Sequence, residues 1–186
     1  VSCSKLRKIK RADKIINLLN SVSKIRGDIN FHWTHIGDGP LLTKYESISK
    51  KTLKGVNFNF LGYLDNDDVY SFYKKNNIDL FINTSKSEGI PVSIMEAMSF
   101  GIPIVAPDVG GISEAVNDNK NGYLLPKRFN DQQLINAVIK ILDSKKINYI
   151  KNESRLMFEK KFNSESNYKS FYNFLKSNIL ENYFFL

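Results

Sequence analysis

Short apolar runs, each trailed by an amphipathic stretch, recur at a nearly regular interval from residue 1 to about residue 142. The runs occupy 31–36, 56–61, 79–83, 103–106 and 123–125, with 1–3 as a possible first one. Stretches with helical spacing of apolar residues occupy 12–25, 41–50, 67–75, 92–100, 112–116 and 131–142. Strand alternating with helix is the signature of βα units, whose strands lie parallel because each helix carries the chain back across the sheet. DLFIN at 79–83 and PIVA at 103–106 are continuous rather than alternating apolar runs, as expected when helices cover both faces of a sheet. The fold expected is α/β: a Rossmann-like doubly wound parallel sheet with extra C-terminal helices and ligands at the carboxyl ends of its strands.

A chain of 186 residues, 42% of them hydrophobic, can bury one core, or one core with an appended helix. Residues 1–145 are expected to carry the sheet. Residues 146–186 read as helical only, packing back on that part or towards a domain outside this chain. Their last stretch holds Tyr168, Phe171, Tyr172, Phe174, Leu175, Ile179, Tyr183, Phe184 and Phe185, too apolar to sit comfortably in water, and is expected to dock. A strand already under way at Val1 suggests a piece of a longer protein. No run of about 18 apolar residues spans a bilayer, and the charged start VSCSKLRKIKR lacks the apolar centre of a secretion signal, so a cytoplasmic setting is expected. Cys3 stands alone, which excludes an internal disulfide and a cysteine-based zinc cluster.

The formal charge of +8 fits nucleic acid, an anionic membrane face or a phosphorylated ligand, and its distribution narrows the choice. Lys5, Arg7, Lys8, Lys10 and Arg11 cluster at the start as a candidate anion site. Lys140, Lys145, Lys146, Lys151, Lys160 and Lys161 read as solvated helix faces.

In a βα architecture each strand-to-helix turn is a candidate site. IGDGP at 36–40 offers Gly37 and Gly39 with a proline suited to the first helical position, so its amides either face an anion or simply make a tight turn. Leu42 stands where the dinucleotide fingerprint needs a third glycine, and no P-loop is present. The turn before the helix at 92 is better furnished. Gly89 lets backbone come close to a ligand, Pro91 suits an early helical position, and amides near Val92, Ser93 and Ile94 are expected to stay unpaired at the positive end of the helix dipole, where a phosphate fits. Glu96, one turn in, can then reach a diol such as ribose, with Glu88 on the far side. The bland alternative makes Ser93 and Glu96 a solvent stripe and Glu88 a helix-terminus charge.

The E-x7-E spacing from Glu88 to Glu96, the run EAMSFGIPIVAPDVGG and NGYLLP at 121–126 resemble the C-terminal, donor-binding half of retaining GT-B glycosyltransferases of group 1, family 4, the bacterial type that builds polysaccharide, capsule and lipopolysaccharide. The likeness runs from SKLRKIKR through HIGDGP and FNFLGYLDNDDV to about Leu142. It implies a nucleoside-diphosphate-sugar donor, with UDP the expected nucleotide, and a glycan or lipid-linked acceptor held by an N-terminal domain outside this chain. It further implies peripheral attachment at the inner face of the membrane for the whole enzyme. Position by position, Glu96 resembles the acid that holds the ribose and Glu88 the one facing the sugar. Lys10 matches the lysine that neutralises the diphosphate, and Lys5 stands where arginine is usual, so a forked contact becomes a point charge. The turn SEGIPVS is shorter than the common form and Ile90 replaces an aromatic residue, yet backbone amides from Ile90 to Ser93 are expected to reach the phosphates. Gly110 and Gly111 are expected to leave space beside the sugar or to form a simple loop.

What the resemblance implies chemically is transfer with retention at the anomeric carbon, the diphosphate leaving and the acceptor attacking on one face. Lys5, Lys10 and the helix N-terminus stabilise the leaving charge, with no cofactor and no obligatory metal. In this division of labour, removing Glu88 leaves binding of a free diphosphate unchanged. Asp65-Asn66-Asp67 imitates a D-x-D metal motif, but its place before an amphipathic helix suits an N-cap. His32 and His35 point to opposite faces of one strand and cannot share a metal. A nucleotide-sugar epimerase is the first alternative. A nucleic-acid-binding module rests on charge alone and lacks a recognisable motif, so no nucleic-acid partner is expected.

Overall fold

The computed structural model describes residues 1–143 and 145–180. Strands β1 (Ser2–Cys3), β2 (His32–Ile36), β3 (Asn57–Phe60), β4 (Phe81–Ile82), β5 (Ile104–Pro107) and β6 (Gly122–Leu125) alternate with helices α1 (Ala12–Ile25), α2 (Leu42–Thr52), α3 (Asn66–Lys75), α4 (Val92–Ser99), α5 (Ile112–Ala115) and α6 (Asp131–Leu142). Helices α7 (Ile147–Lys161) and α8 (Ser164–Leu175) follow.

All strand pairs are parallel, in two three-stranded sheets ordered β1-β2-β3 and β4-β5-β6. Val1 joins them, donating to the Leu80 carbonyl at 2.7 Å and accepting from the Ile82 amide at 2.9 Å. That sets β1 beside β4 and gives the order β3-β2-β1-β4-β5-β6. The chain winds outward from β1 to β3, returns to the middle, and winds outward the other way. The loops after β1 and β4 therefore diverge at one point on the carboxyl edge and leave a crevice, the place where such sheets bind ligands.

Period-two alternation along the strands separates the two faces. Ile82 and Val105 join Ile15, Ile16, Leu19 and Val22 of α1 and Leu134 and Val138 of α6, while Phe81, Ile104 and Ala106 join Ile94 and Met98 of α4 and Ile112 of α5. Each fully buried Ile, Leu or Met contributes about 1.5–3 kcal/mol relative to exposure, so these two clusters account for most of the driving force. Asp65 caps α3, its carboxylate accepting from the Asp68 amide at 2.9 Å, and this is what the Asp-Asn-Asp run does. Asn130 and Gln133 form a reciprocal capping box on α6.

Helix α7 packs against α4. Ser154 Oγ donates to the Ile102 carbonyl at 2.8 Å, Arg155 to the carbonyl of Ser99, and Lys161 Nζ to that of Glu114 at 2.8 Å, placing cations over the carboxyl ends of α4 and α5. Several of the lysines expected as solvated faces thus have partners, among them Lys161 here, Lys151 with Asp79 at 3.8 Å, and Lys140 over the Tyr123 ring at 4.7 Å. Spacing along a helix cannot show which neighbouring element it lies against. On α8, Tyr168, Phe171, Tyr172 and Phe174 are exposed, while Tyr183, Phe184 and Phe185 lie outside the described residues. Among the described residues no helix is long and apolar enough to cross a membrane.

Candidate active site

The loop after β1 closes in a short helical turn, Lys8–Lys10, and Arg11 reverses it in the left-handed conformation (φ 53°, ψ 44°) that launches α1. A non-glycine residue there costs about 1 kcal/mol and persists because its surroundings hold it. The Arg11 guanidinium lies 4.5 Å above the Phe129 ring. Thr84 Oγ1, buried at the end of β4, is 2.9 Å from the carbonyls of both Lys10 and Arg11, and the Lys86 amide donates to the Ile9 carbonyl at 2.9 Å. The two loops that diverge at the crevice are thereby laced together.

Across that lacing, Lys10 Nζ contacts both carboxylate oxygens of Glu88, at 2.7 and 2.8 Å. Asn83 Nδ2 donates to the same carboxylate at 3.2 Å, and Asn83 Oδ1 takes the Ser85 amide at 2.8 Å. The pair is largely shielded, with side-chain exposures of 24% for Lys10 and 9% for Glu88. Burial pushes the Glu88 carboxyl up, but hydrogen bonds from Lys10, Ser85 and Asn83 outweigh it and hold it below the ordinary range.

Glu96 is in the opposite state. It sits on α4, 8% exposed, and no hydrogen-bond donor or cation meets its carboxylate among the described residues. Burial alone raises its pKa. The solvent-stripe alternative does not hold for a residue this enclosed. Its oxygens are not sealed from solvent, so donors from outside can reach a partly desolvated carboxylate that none of the described residues satisfies.

The α4 N-terminus corrects one expectation. Pro91 is extended (φ −67°, ψ 124°) and precedes the helix, and its carbonyl accepts from the amides of Ile94 and Met95 at 3.0 and 3.3 Å. The first helical turn closes on Pro91, so Ile94 is not free. The amides of Val92 and Ser93 have no partner among the described residues. A Cβ at Gly89 would meet nothing within 4 Å, so open space lies beside that turn. Ile90 is partly buried, where a Cβ on Gly111 would press on it. Lys5 is exposed at the exit of β1, and its ammonium group has no partner among the described residues.

Three of the four other glycines, Gly37, Gly39 and Gly110, also serve close passage of another segment's backbone, a use the sequence does not show. A Cβ on Gly37 (φ +124°) would lie 2.2 Å from the Ser4 carbonyl oxygen, and one on Gly39 (φ +143°) 2.7 Å from the Leu6 backbone. The Gly37 amide is already bonded to Gly62 O at 2.6 Å, and Leu41 and Leu42 close the turn onto Leu6 and Gly39, which delays α2 beyond Pro40. A Cβ on Gly110 (φ +59°) would fall 1.7 Å from the Glu88 carbonyl oxygen, and the Gly111 amide donates to Gly89 O at 3.0 Å. One glycine pair admits the backbone leading to Lys5 and the other admits the backbone of Glu88.

Sequence reasoning missed Asn83, Thr84 and Ser85. The polar triplet after the apolar run 79–82 was the available signal. His35 is buried in a chain in which Trp33 Nε1 donates to Ser2 Oγ (2.9 Å), Ser2 meets His35 Nδ1 (2.8 Å) and His35 Nε2 meets Ser4 O (3.0 Å). Burial lowers its pKa to about 4, so it is neutral and steadies the strand that delivers Lys5. His32, on the other face of β2, is exposed. A cavity of about 260 Å³ opens at the opposite, amino end of the strands, lined by apolar side chains such as Leu18, Phe31, Leu80 and Val138.

The family described as glycosyl transferases group 1 matches residues 1–161. An uncharacterized glycosyltransferase of Methanocaldococcus jannaschii is 32% identical over 139 residues, 74% of this chain and 38% of that protein. A UDP-Gal:alpha-D-GlcNAc-diphosphoundecaprenol alpha-1,3-galactosyltransferase of Escherichia coli is 30% identical over 131 residues, 69% of this chain and 32% of that one. Among solved structures, Anabaena HepE in complex with UDP-glucose superposes with a TM-score of 0.74 at 25% identity, over 95% of this chain and 48% of the other. The chain therefore spans between about a third and just under half of the length of these proteins. These similarities lend no support to an epimerase or a nucleic-acid-binding module.

Proposed function

The chain belongs to the group 1 glycosyl transferases, and from that premise we propose that it is the donor-binding part of a retaining enzyme that moves a sugar from a nucleoside diphosphate, UDP, to a glycan or lipid-linked acceptor. The observation that carries this is Glu96: a carboxylate on a largely buried residue, without a donor among the described residues, one turn into the helix whose Val92 and Ser93 amides also lack partners among them. A ribose diol supplies two hydroxyl donors to such a carboxylate, and a diphosphate supplies the anion for the amides.

In this reading the diphosphate lies between the α4 N-terminus and the β1 loop, with Lys10 beside it and exposed Lys5 closing the outer side. As the bond to the anomeric carbon breaks, negative charge grows on the departing phosphate oxygen. Lys10, Lys5 and the helix dipole meet that charge without reorganising and without an obligatory metal. Glu88 faces the sugar. Residues 1–145 hold the donor, and the helices beyond lead towards the acceptor domain. The acceptor would arrive from a separate N-terminal domain, on the cytoplasmic side of a membrane when it is lipid-linked. HepE bound to UDP-glucose and a relative named for a UDP-Gal donor and a GlcNAc-diphosphoundecaprenol acceptor support this choice of substrates.

Calorimetric titration of the chain with UDP, GDP, ADP and a random oligonucleotide tests the reading. One nucleoside diphosphate, UDP as proposed, should bind and lose affinity in Glu96→Ala. Oligonucleotide binding without diphosphate binding would overturn it.

A further inference from the structure

We propose that Glu88 is a displaceable counter-ion for Lys10, through which the site favours a sugar nucleotide over the bare nucleoside diphosphate left after transfer. The inference rests on the donor-binding reading above. Both Glu88 oxygens sit on one ammonium, at 2.7 and 2.8 Å, so two of the three Lys10 N–H donors are taken in the unliganded site. Neither partner can retreat easily. Lys10 belongs to the loop that Thr84 and Lys86 fasten at the Lys10, Arg11 and Ile9 carbonyls. Glu88 is held by Asn83, and its own carbonyl rests on Gly110 where even a methyl group has no room.

A diphosphate reaching the α4 N-terminus therefore meets a lysine whose charge is already balanced, with a carboxylate beside it. A bare diphosphate must share or capture Lys10, which leaves Glu88 facing phosphate oxygens with no donor in exchange. Like charges so placed repel, and the free diphosphate carries more negative charge than its sugar ester. A sugar nucleotide brings hydroxyl donors with it. They satisfy the Glu88 carboxylate while Lys10 passes to the phosphate, so the same residue that penalises the product is repaid by the donor. Once the sugar has left, Glu88 reclaims Lys10 and weakens the hold on the leaving diphosphate. This replaces the expectation that Glu88 is indifferent to free diphosphate.

The test is calorimetric titration of UDP, GDP and ADP into the wild-type chain, Glu88→Gln, Lys10→Met and the double variant. Glu88→Gln keeps the shape and an acceptor for Asn83, with Glu88→Ala as a second variant and thermal melts to confirm folding. Both should bind UDP about three- to thirtyfold more tightly than wild type. In the Lys10→Met background the gain should shrink to less than about half in logarithmic terms, the signature of coupling between the two residues. Wild-type UDP binding with no gain in either Glu88 variant, or an undiminished gain without Lys10, would refute the counter-ion role alone. Failure of all three diphosphates to bind any variant would refute the donor-binding reading as well.

Discussion

Replacing Glu96 with glutamine should make the unliganded chain more stable and its nucleotide binding weaker. The residue is 8% exposed and its carboxylate lacks any donor among the described residues, so at neutral pH folding partly desolvates a charge without compensation. Glutamine keeps a polar head but removes that charge at nearly constant volume, and relief of a partly desolvated charge without a partner is worth about 1–3 kcal/mol. In a chain of this length that raises Tm by roughly 2–10 °C. The gain is pH-dependent in a definite sense. The Glu96 pKa is raised above its ordinary value of 4.5, so between the two values the folded state binds more protons than the unfolded one. Wild type therefore recovers stability as pH falls through the raised pKa, and the advantage of glutamine disappears below about 4.5. Binding moves the other way: charge-assisted hydrogen bonds to a diol contribute about 1.5–3 kcal/mol, so UDP affinity should drop about ten- to hundredfold. Melts across pH and calorimetry on one protein preparation measure both. A lower Tm with unchanged UDP affinity would show that Glu96 has a structural partner in solution and no part in the site.

Gly110→Ala should misplace the Glu88 turn, because its Cβ would lie 1.7 Å from the Glu88 carbonyl oxygen; a Tm fall of several degrees is expected, whereas Gly89→Ala, with nothing within 4 Å, should leave Tm unchanged and weaken only UDP binding. Equal melts for the two would contradict this. Thr84→Val should loosen the lacing of the Lys10 loop and cost about 1–2 kcal/mol together with UDP affinity, while Thr84→Ser restores both in urea melts and titrations; a valine variant with wild-type affinity would show the lacing to be irrelevant to the site. His35, enclosed and neutral with its pKa lowered to about 4, makes the unfolded state bind more protons between pH 6.5 and 4, so stability should fall over that window by about 3 kcal/mol. That component should vanish in His35→Gln, measured as denaturant midpoints against pH.

Much of the architecture was legible because each strand and helix carries its own period. The continuous apolar runs marked parallel strands buried on both faces, and α1 and α6 fall on 12–25 and 131–142, where amphipathicity is strong and, on α6, a capping box agrees with it. Glu88, Lys10 and Glu96 were legible as candidates because strand-to-helix turns are few and their chemistry is local. Their opposite electrostatic states were not. Lys10 and Glu88 are 78 residues apart, and only the return of β4 to the side of β1 brings them to 2.7 Å. Glu96 is equally acidic in the sequence, yet it lies where none of the described residues supplies a donor.

The glycines make the same division. A glycine in a turn can serve conformation, a ligand, or the close passage of another segment, and its neighbours in sequence do not say which. Gly37 and Gly39 admit the backbone of Ser4 and Leu6, and Gly110 admits that of Glu88, from segments 22 or more positions away. Residue types and spacing by themselves determined the βα order, the apolar faces of the helices and which turns are candidates for a site, since those depend on interactions within a few residues. Tertiary structure alone decided which charges meet, which carboxylate stays unpaired and which glycines carry the loops, since those depend on contacts that exist only once the sheet has brought its carboxyl ends together.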